Sequence, residues 1–387
     1  MMARLGDYIE QIRGVSYKPE DVCTSQDEDT VAILRANNIQ DDGLIFDDLI
    51  YVKKSKVANK QYIQRGDIIV CASSGSKSLV GKAAVANENM PISFGAFCKV
   101  IRPKKLLPSY IGHYFQSPKY RNTISEMAGG ANINNIRNEH IDELDIAIVS
   151  EDEQEKIITE LDATSNLISL RKQQLSKLDE LVKSRFIEMF EGRDYPTVLF
   201  ENVCVFLRNG ASIKQTKGAG GYPITRIETL SNDVFNIDRL GYADITDLEK
   251  YQSYVLHNGD ILISHINSVA YLGRAVQYRG QLDTPIIHGM NLLCARIVDS
   301  YNPTYIEWFF KTPMAKEYIS TITKKAVNQA SITTSDLKKM QVPNPPKNLQ
   351  DQFAAFVEQV DKSKFEIQKS LEKLETLKKA LMQKYFG

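Results

Sequence analysis

Two stretches of the chain carry apolar residues at spacings that alternate between four and three. The first runs Ile157, Leu161, Thr164, Ile168, Arg171, Leu175, Leu178, Val182, Arg185 and Met189. The second runs Phe353, Val357, Val360, Lys364, Ile367, Leu371, Leu374, Lys378, Leu381 and Tyr385, each position 196 further along. Both are a/d seams of a heptad helix, interrupted by Arg in one and by Lys in the other. At about 1.5 Å per residue each helix is roughly 60 Å long, and its stripe buries nothing alone. No third helix of that length is predicted, so each copy is expected to pair with the other, in a direction the pattern leaves open. Ser150 with Glu153 predicts a capping box at the first helix, and Asn348 with Asp351 a weaker one at the second.

Ahead of each helix the period shortens to that of strands. Gly66-Asp67-Ile68-Ile69-Val70 and Gly259-Asp260-Ile261-Leu262-Ile263 are turns that enter buried β-branched strands. Aromatic-rich helical segments follow Pro108 and Pro303 (Tyr110 to Phe115, Tyr305 to Phe310), with Ser109 and Thr304 as expected N-caps. Amphipathic segments at Lys119 to Met127 and Met314 to Thr323 come next, then short strands at Leu144 to Val149 and Met340 to Val342. The order is the same twice. Leu79-Val80-Gly81-Lys82-Ala83 matches Tyr271-Leu272-Gly273-Arg274-Ala275, and Met189-Phe190 matches Tyr385-Phe386. The predicted domains are 1–150, a helix at 151–190, a second globular copy at 193–346, and a helix at 347–387. A doubled chain suits a target that itself has two parts.

The 387 residues allow about two full cores, with ordinary apolar and charged fractions. No apolar run spans a bilayer and the first residues carry no signal pattern, so a cytoplasmic protein is expected. Cys23, Cys71, Cys98, Cys204 and Cys294 are scattered, which suggests neither disulfides nor a zinc site. Formal charge is zero, with nine acidic against six basic residues in 151–190 and six against seven in 348–386. A nucleic-acid surface must therefore be a local patch.

Two segments imitate cofactor motifs. Gly75 to Lys82 approaches a phosphate-binding loop, but it has one residue too many and Ala83 where a magnesium-binding hydroxyl belongs. Asn344-Pro345-Pro346-Lys347 resembles an amino-methyltransferase motif, but Lys347 replaces the stacking aromatic and no S-adenosylmethionine loop accompanies it. The prolines more simply end a strand and open a helix. His113, His140, His257, His265 and His288 lack ligand or triad spacing, so no catalytic residues and no bound metal or cofactor are expected.

Polar loops at matched places remain. In copy one they carry Arg35, Asn37, Ser74, Lys77, Asn132 and Asn134; in copy two Arg226, His265, Asn267, Asn328 and Gln329. These side chains suit base edges, while Lys82 and Arg274 after the shared glycine suit phosphates. The framework repeats while the loop contents differ, as two domains reading unlike half-sites require. Turns are also polar and variable for purely structural reasons, and that reading stays open. A structural adaptor with paired helices and two protein-binding domains is the alternative.

The tandem copies, the Gly-Asp-Ile strands, the Gly-Lys or Gly-Arg turns and Pro345-Pro346-Lys347-Asn348-Leu349-Gln350 before a heptad helix together resemble one family. It is the specificity subunit of Type I restriction–modification enzymes, and the likeness spans essentially the whole chain. Copy one departs by using Val149 to Gln154 without the Pro-Pro, but keeps Gln154 opposite Gln350. The resemblance implies two α/β (α+β) target-recognition domains in tandem, each followed by a long helix, the helices pairing as an antiparallel coiled coil. It implies double-stranded DNA with a bipartite asymmetric site, two methyltransferase subunits and two restriction/translocase subunits, with S-adenosylmethionine and ATP/Mg only on those partners. The expected helix-pairing residues are Ile157, Leu161, Ile168, Leu175, Leu178, Val182, Val357, Val360, Ile367, Leu371, Leu374 and Leu381. The seam interruptions Arg171, Arg185, Lys364 and Lys378, together with Phe186, Phe190, Tyr385 and Phe386, are expected places for partner helices to dock.

Overall fold

A computed structural model describes residues 1–387 except 24, 41–42, 77–78, 128–133, 217–219, 232 and 326–328, together with the side chain of Asn134. The chain divides into two compact units, Met1–Gln174 with Ile367–Gly387, and Leu175–Glu366. Each unit therefore holds one globular copy together with part of both long helices.

Copy one is built on β1 (Met2–Arg4), β2 (Ile9–Arg13), β3 (Ile68–Cys71), β4 (Ala83–Val85) and β5 (Cys98–Pro103), then α1 (Pro108–Gln116), α2 (Pro118–Met127), β6 (Asp145–Ala147) and α3 (Glu151–Phe190). Its main sheet has the order β4-β3-β5-β2, all antiparallel. All four β3 residues are buried, as a β-branched run in the middle of a sheet should be. A second sheet joins Ser93–Phe94, Thr30–Leu34, Ile50–Lys53 and Val22–Cys23. The first strand of the copy pairs with the last, Met2 opposite Ala147, which closes the globular part just before α3.

Copy two repeats the plan with β7 (Thr197–Leu199), β8 (Cys204–Asn209), β9 (Ile261–Ser264), β10 (Ala275–Gln277), β11 (Leu292–Ile297), α4 (Pro303–Phe309), α5 (Pro313–Ile322), β12 (Gln341–Pro343) and α6 (Lys347–Phe386). The main sheet order is β10-β9-β11-β8, and β7 pairs with β12. Its second sheet is shorter, joining Gln215–Thr216, Gly241–Ala243 and Tyr222–Ile224.

The predicted seams are real, and within each unit the helix segments run antiparallel. Every seam residue on α3 and α6 is buried or half-buried, Ile168, Leu175, Ile367 and Leu374 half-buried and Leu371 buried. In the first unit Ile157 and Leu161 share a core with Met382 and Phe386, and Leu381 packs on it. The Tyr385 hydroxyl donates to Glu160 at 2.5 Å. In the second unit Val182, Phe353, Val357 and Val360 share a core that Leu178 joins, Phe190 meets Phe353 at 5.6 Å, and Lys364 pairs with Asp179 at 2.6 Å. The arginines that break the first seam are handled within their own helix: Arg185 pairs with Glu188, and Arg171 donates to Gln174.

Several local expectations are corrected. Pro108 and Pro303 are themselves the first helical residues, so Ser109 and Thr304 lie inside; in copy two the cap is Asn302, whose side chain accepts from the Thr304 N–H. α6 starts at Lys347, so Asn348 is no cap, and Asp351 instead binds Lys347 and Asn302. The Ser150 hydroxyl does accept from the Glu153 N–H. Phe186, Phe190 and Phe386 are buried and Tyr385 is half-buried in the chain's own cores, so they are not free docking points. The Phe386 ring lies tilted against Tyr110 at 5.3 Å, and Phe190 meets Tyr305 edge-on at 4.9 Å. Among the described residues no helix is long and apolar enough to cross a membrane.

Candidate DNA-recognition loops

The braces behind the loops explain the repeated motifs. Asp67 is 1 % exposed and receives two bonds from the Arg102 guanidinium, both 2.8 Å, plus the Gln64 N–H at 2.8 Å. Asp260 does the same with Arg296, both bonds 2.8 Å, and with the His257 N–H. A bidentate pair fixes geometry as well as charge, so the Gly-Asp turn is locked to the neighbouring strand. A second brace is the matched glutamine. Gln154 accepts the Leu107 N–H at 2.9 Å and donates to the Val149 carbonyl, while Gln350 accepts the Asn302 N–H at 2.8 Å and donates to the Pro345 carbonyl. Each ties the entry of a short helix to the start of a long one. Tyr110 and Tyr305 repeat a third brace, donating to the Ala147 and Pro343 carbonyls. Arg102 and Arg296 escaped the sequence reading. The signal was an Arg at the same place in both β5 and β11.

In copy one the loops at the ends of Thr30–Leu34 and β3 come together. Arg35, Asn37, Ser73, Ser74, Tyr17 and Phe97 line a cleft of about 660 Å³. Arg35 is held there by the Asp48 carboxylate at 2.5 Å and the Asp48 carbonyl at 2.7 Å. Asp48 has φ +55°, a left-handed backbone that lets one residue offer both groups. Asn37 is exposed, and its side chain approaches Asp48 at 3.5 Å. Ser74 sits opposite Asn134 in a two-residue ladder. Lys82 is half-buried in its turn. Lys77, Asn132 and the side chain of Asn134 lie outside the described residues, as does Asn328 in copy two.

Copy two places different chemistry on the same frame. Arg226 Nε donates to Gln215 at 2.6 Å, passing over Gly241, where a Cβ would lie only 2.3 Å from that nitrogen. Asn267 donates to the Ser264 hydroxyl at 3.3 Å, in a strand that pairs with Ala330–Ser331 beside exposed Gln329. His265 is buried with Nδ1 unpartnered, and burial holds its pKa below the ordinary histidine value. Arg274 is already engaged: Asp233 at 2.9 Å, the Leu230 carbonyl at 3.2 Å and the Tyr271 ring at 4.7 Å. A phosphate contact there has to compete with Asp233, a partner that sequence spacing did not reveal. Among the described residues no group of three or more His, Cys, Asp or Glu is placed to hold a metal ion. All five cysteines are free, and burial pushes the Cys98 thiol up to about 12.

A family model for the Type I restriction modification DNA specificity domain matches twice, over residues 1–180 and 194–379. The chain belongs to that family. It is 31% identical to the Type I restriction enzyme EcoKI specificity subunit of Escherichia coli K12, over 97% of this chain and 86% of that protein. It is 30% identical to the StySPI specificity subunit of Salmonella potsdam, with the same coverage. In fold it is similar to a chain from a structure of a type I R-M system (TM-score 0.59, 17% identity, 100% and 97% of the two chains). The S subunit from M. genitalium is also similar (TM-score 0.58, 14% identity, 100% and 96%). Family membership makes this a DNA-sequence-recognition chain with two tandem recognition domains, and the adaptor alternative falls away.

Proposed function

We propose that the chain is a non-catalytic reader of a bipartite, asymmetric DNA site, one half-site per globular copy. It directs adenine methylation by two methyltransferase subunits and restriction by two translocating subunits in the cytoplasm. S-adenosylmethionine and ATP with magnesium belong to those partners. The observation that carries this reading is the contrast between frame and loops. Asp–Arg pair, glutamine clamp and tyrosine brace recur residue for residue, whereas beside the shared Arg35 and Arg226 the loop residues Asn37 and Ser74 give way to Glu228 and Asn267. A frame conserved between copies with unlike polar loops is what two different half-sites require.

The proposed contacts are Arg35, Asn37, Ser74, Lys77, Lys82, Asn132 and Asn134 for one half-site. Arg226, His265, Asn267, Arg274, Asn328 and Gln329 serve the other. Arg suits guanine, and Asn or Gln suits adenine. The test is a methylated-adenine map of cells carrying the complex, followed by footprinting on the motif found. Two protected patches separated by a gap support the reading; no bipartite motif sinks it.

A further inference from the structure

Phe97 is 69 % exposed, yet its backbone is tied into the neighbouring strands. Its carbonyl accepts the N–H groups of both Ala72 and Ser73, at 2.9 and 3.0 Å. The turn that carries it closes through the Cys98 N–H to the Gly95 carbonyl at 2.8 Å, and the Gly95 N–H reaches the Leu34 carbonyl at 2.9 Å. The phenyl ring is thus presented to water on a turn bonded to both loops that carry Arg35 and Ser74.

A single exposed apolar side chain is ordinary on a protein surface. Two further facts separate this one. Phe97 lines the same cleft as Tyr17, Arg35, Asn37, Ser74 and Leu79, so apolar and base-edge-reading groups face one space. In the matching turn of copy two Asn291 takes the place of Phe97, and the apolar residue is its neighbour Met290, 49 % exposed and held by its N–H to the Ala211 carbonyl. The turn ahead of β5 and β11 therefore exposes an apolar side chain in both copies, at neighbouring rather than identical positions.

The major-groove edge of DNA offers one apolar group, the thymine 5-methyl. We propose that Phe97 is a specificity-determining residue that reads a thymine methyl in the first half-site. This rests on the functional reading above. Ring and methyl bury each other when the turn enters the groove, while Arg35 and Asn37 supply the hydrogen-bonding contacts beside it.

The experiment uses the complex with its methylating partner on a duplex bearing the mapped motif. Each thymine of either strand is replaced singly by deoxyuridine, which removes only the methyl group. With the unaltered chain, one substitution in the first half-site should weaken binding about fourfold, the effect of one buried methyl. Phe97→Ala should weaken binding to the parent duplex about tenfold or more and be indifferent to deoxyuridine at that position. Both proteins should respond alike to substitutions in the second half-site, which also reports that the variant is folded. Equal deoxyuridine penalties in both proteins throughout the first half-site overturn the proposal. So does unchanged binding by Phe97→Ala, or a loss traced to failed assembly with the partner. Absence of any split-site selectivity in the unaltered complex is a different result, and fails the functional reading itself.

Discussion

Replacing Arg102 with Met should destabilise the first unit by about 3 kcal/mol. The Asp67 carboxylate is 1 % exposed and loses both guanidinium bonds, keeping only the Gln64 N–H. Breaking a buried pair from one side costs about 3–5 kcal/mol, because the surviving charge stays desolvated. The Arg102 side chain is 20 % exposed, so some water reaches the vacated site and the lower end applies. Removing both partners is gentler. Asp67→Ala with Arg102→Met leaves no buried charge, only the Gln64 N–H without its acceptor and the Tyr62 carbonyl without the Arg102 donor, a cost of about 1–3 kcal/mol. The double variant should therefore be more stable than Arg102→Met alone. Native-state hydrogen exchange gives a local reading, through amides of β3 (Ile68–Cys71) compared with β9 (Ile261–Ser264). Protection should fall in β3 and hold in β9. A loss below about 1 kcal/mol in β3, or a double variant less stable than the single, would refute the argument that the Gly-Asp motif exists to place this carboxylate.

Three other outcomes are expected. Gln350→Leu orphans the Asn302 N–H and the Pro345 carbonyl and should cost about 2–4 kcal/mol by denaturant unfolding; a cost under half a kcal/mol would discard the clamp. Gly273 has φ +72° and a Cβ there would lie 2.3 Å from the buried Ile319 side chain, so Gly273→Ala should cost about 2–4 kcal/mol. Gly192→Ala, at φ +69° with nothing nearby, should cost only about 1 kcal/mol, and equal costs would remove the packing term. Burial lowers His288 from 6.5 to about 4 while its Nε2 holds the Leu292 carbonyl. The unfolded chain takes up that proton first as pH falls, so stability is complete above 6.5 and about 3 kcal/mol is lost by pH 4. His288→Gln should flatten that part of the pH profile of second-unit unfolding, and an unchanged slope would assign the loss elsewhere.

Periodic features were legible in the sequence and paired side chains were not. The heptad seams declared themselves because a helix stripe must be covered along its whole length, and the same register appears at Ile157 and Phe353. The strands after Asp67 and Asp260 were equally plain. The direction of helix pairing was hidden, since an a/d stripe reads the same from either end. It emerged from contacts such as Tyr385 with Glu160 and Phe190 with Phe353. The terminal aromatics were misread for a related reason. Phe186, Phe190 and Phe386 follow the seam into the base of a globular copy, where Tyr305 or Tyr110 covers them. Sequence patterning marks such residues as apolar without saying whether the cover comes from this chain or another. The loop arginines were the hardest, because Arg35 and Arg274 owe their positions to Asp48 and Asp233, carboxylates on left-handed backbone that no spacing rule connects to them.

Those two arginines also show how the copies diverged without losing their fold. In copy one the Asp-held cation stands on the loop after Thr30–Leu34; in copy two it stands on the turn after Gly273. The counterpart of Arg35 in copy two is braced differently, since Arg226 leans on Gln215 instead. The energetic weight of each unit lies in the buried pairs and clamps that recur, each worth several kcal/mol when broken. The loop pairs are partly exposed, and pairs of that kind contribute about a kcal/mol or less. Loop chemistry can therefore change with little effect on stability, whereas the frame cannot. The proposed recognition surface, resting on weak, exchangeable pairs over a strongly braced frame, is then free to acquire a new sequence preference in one copy and leave the other as it was.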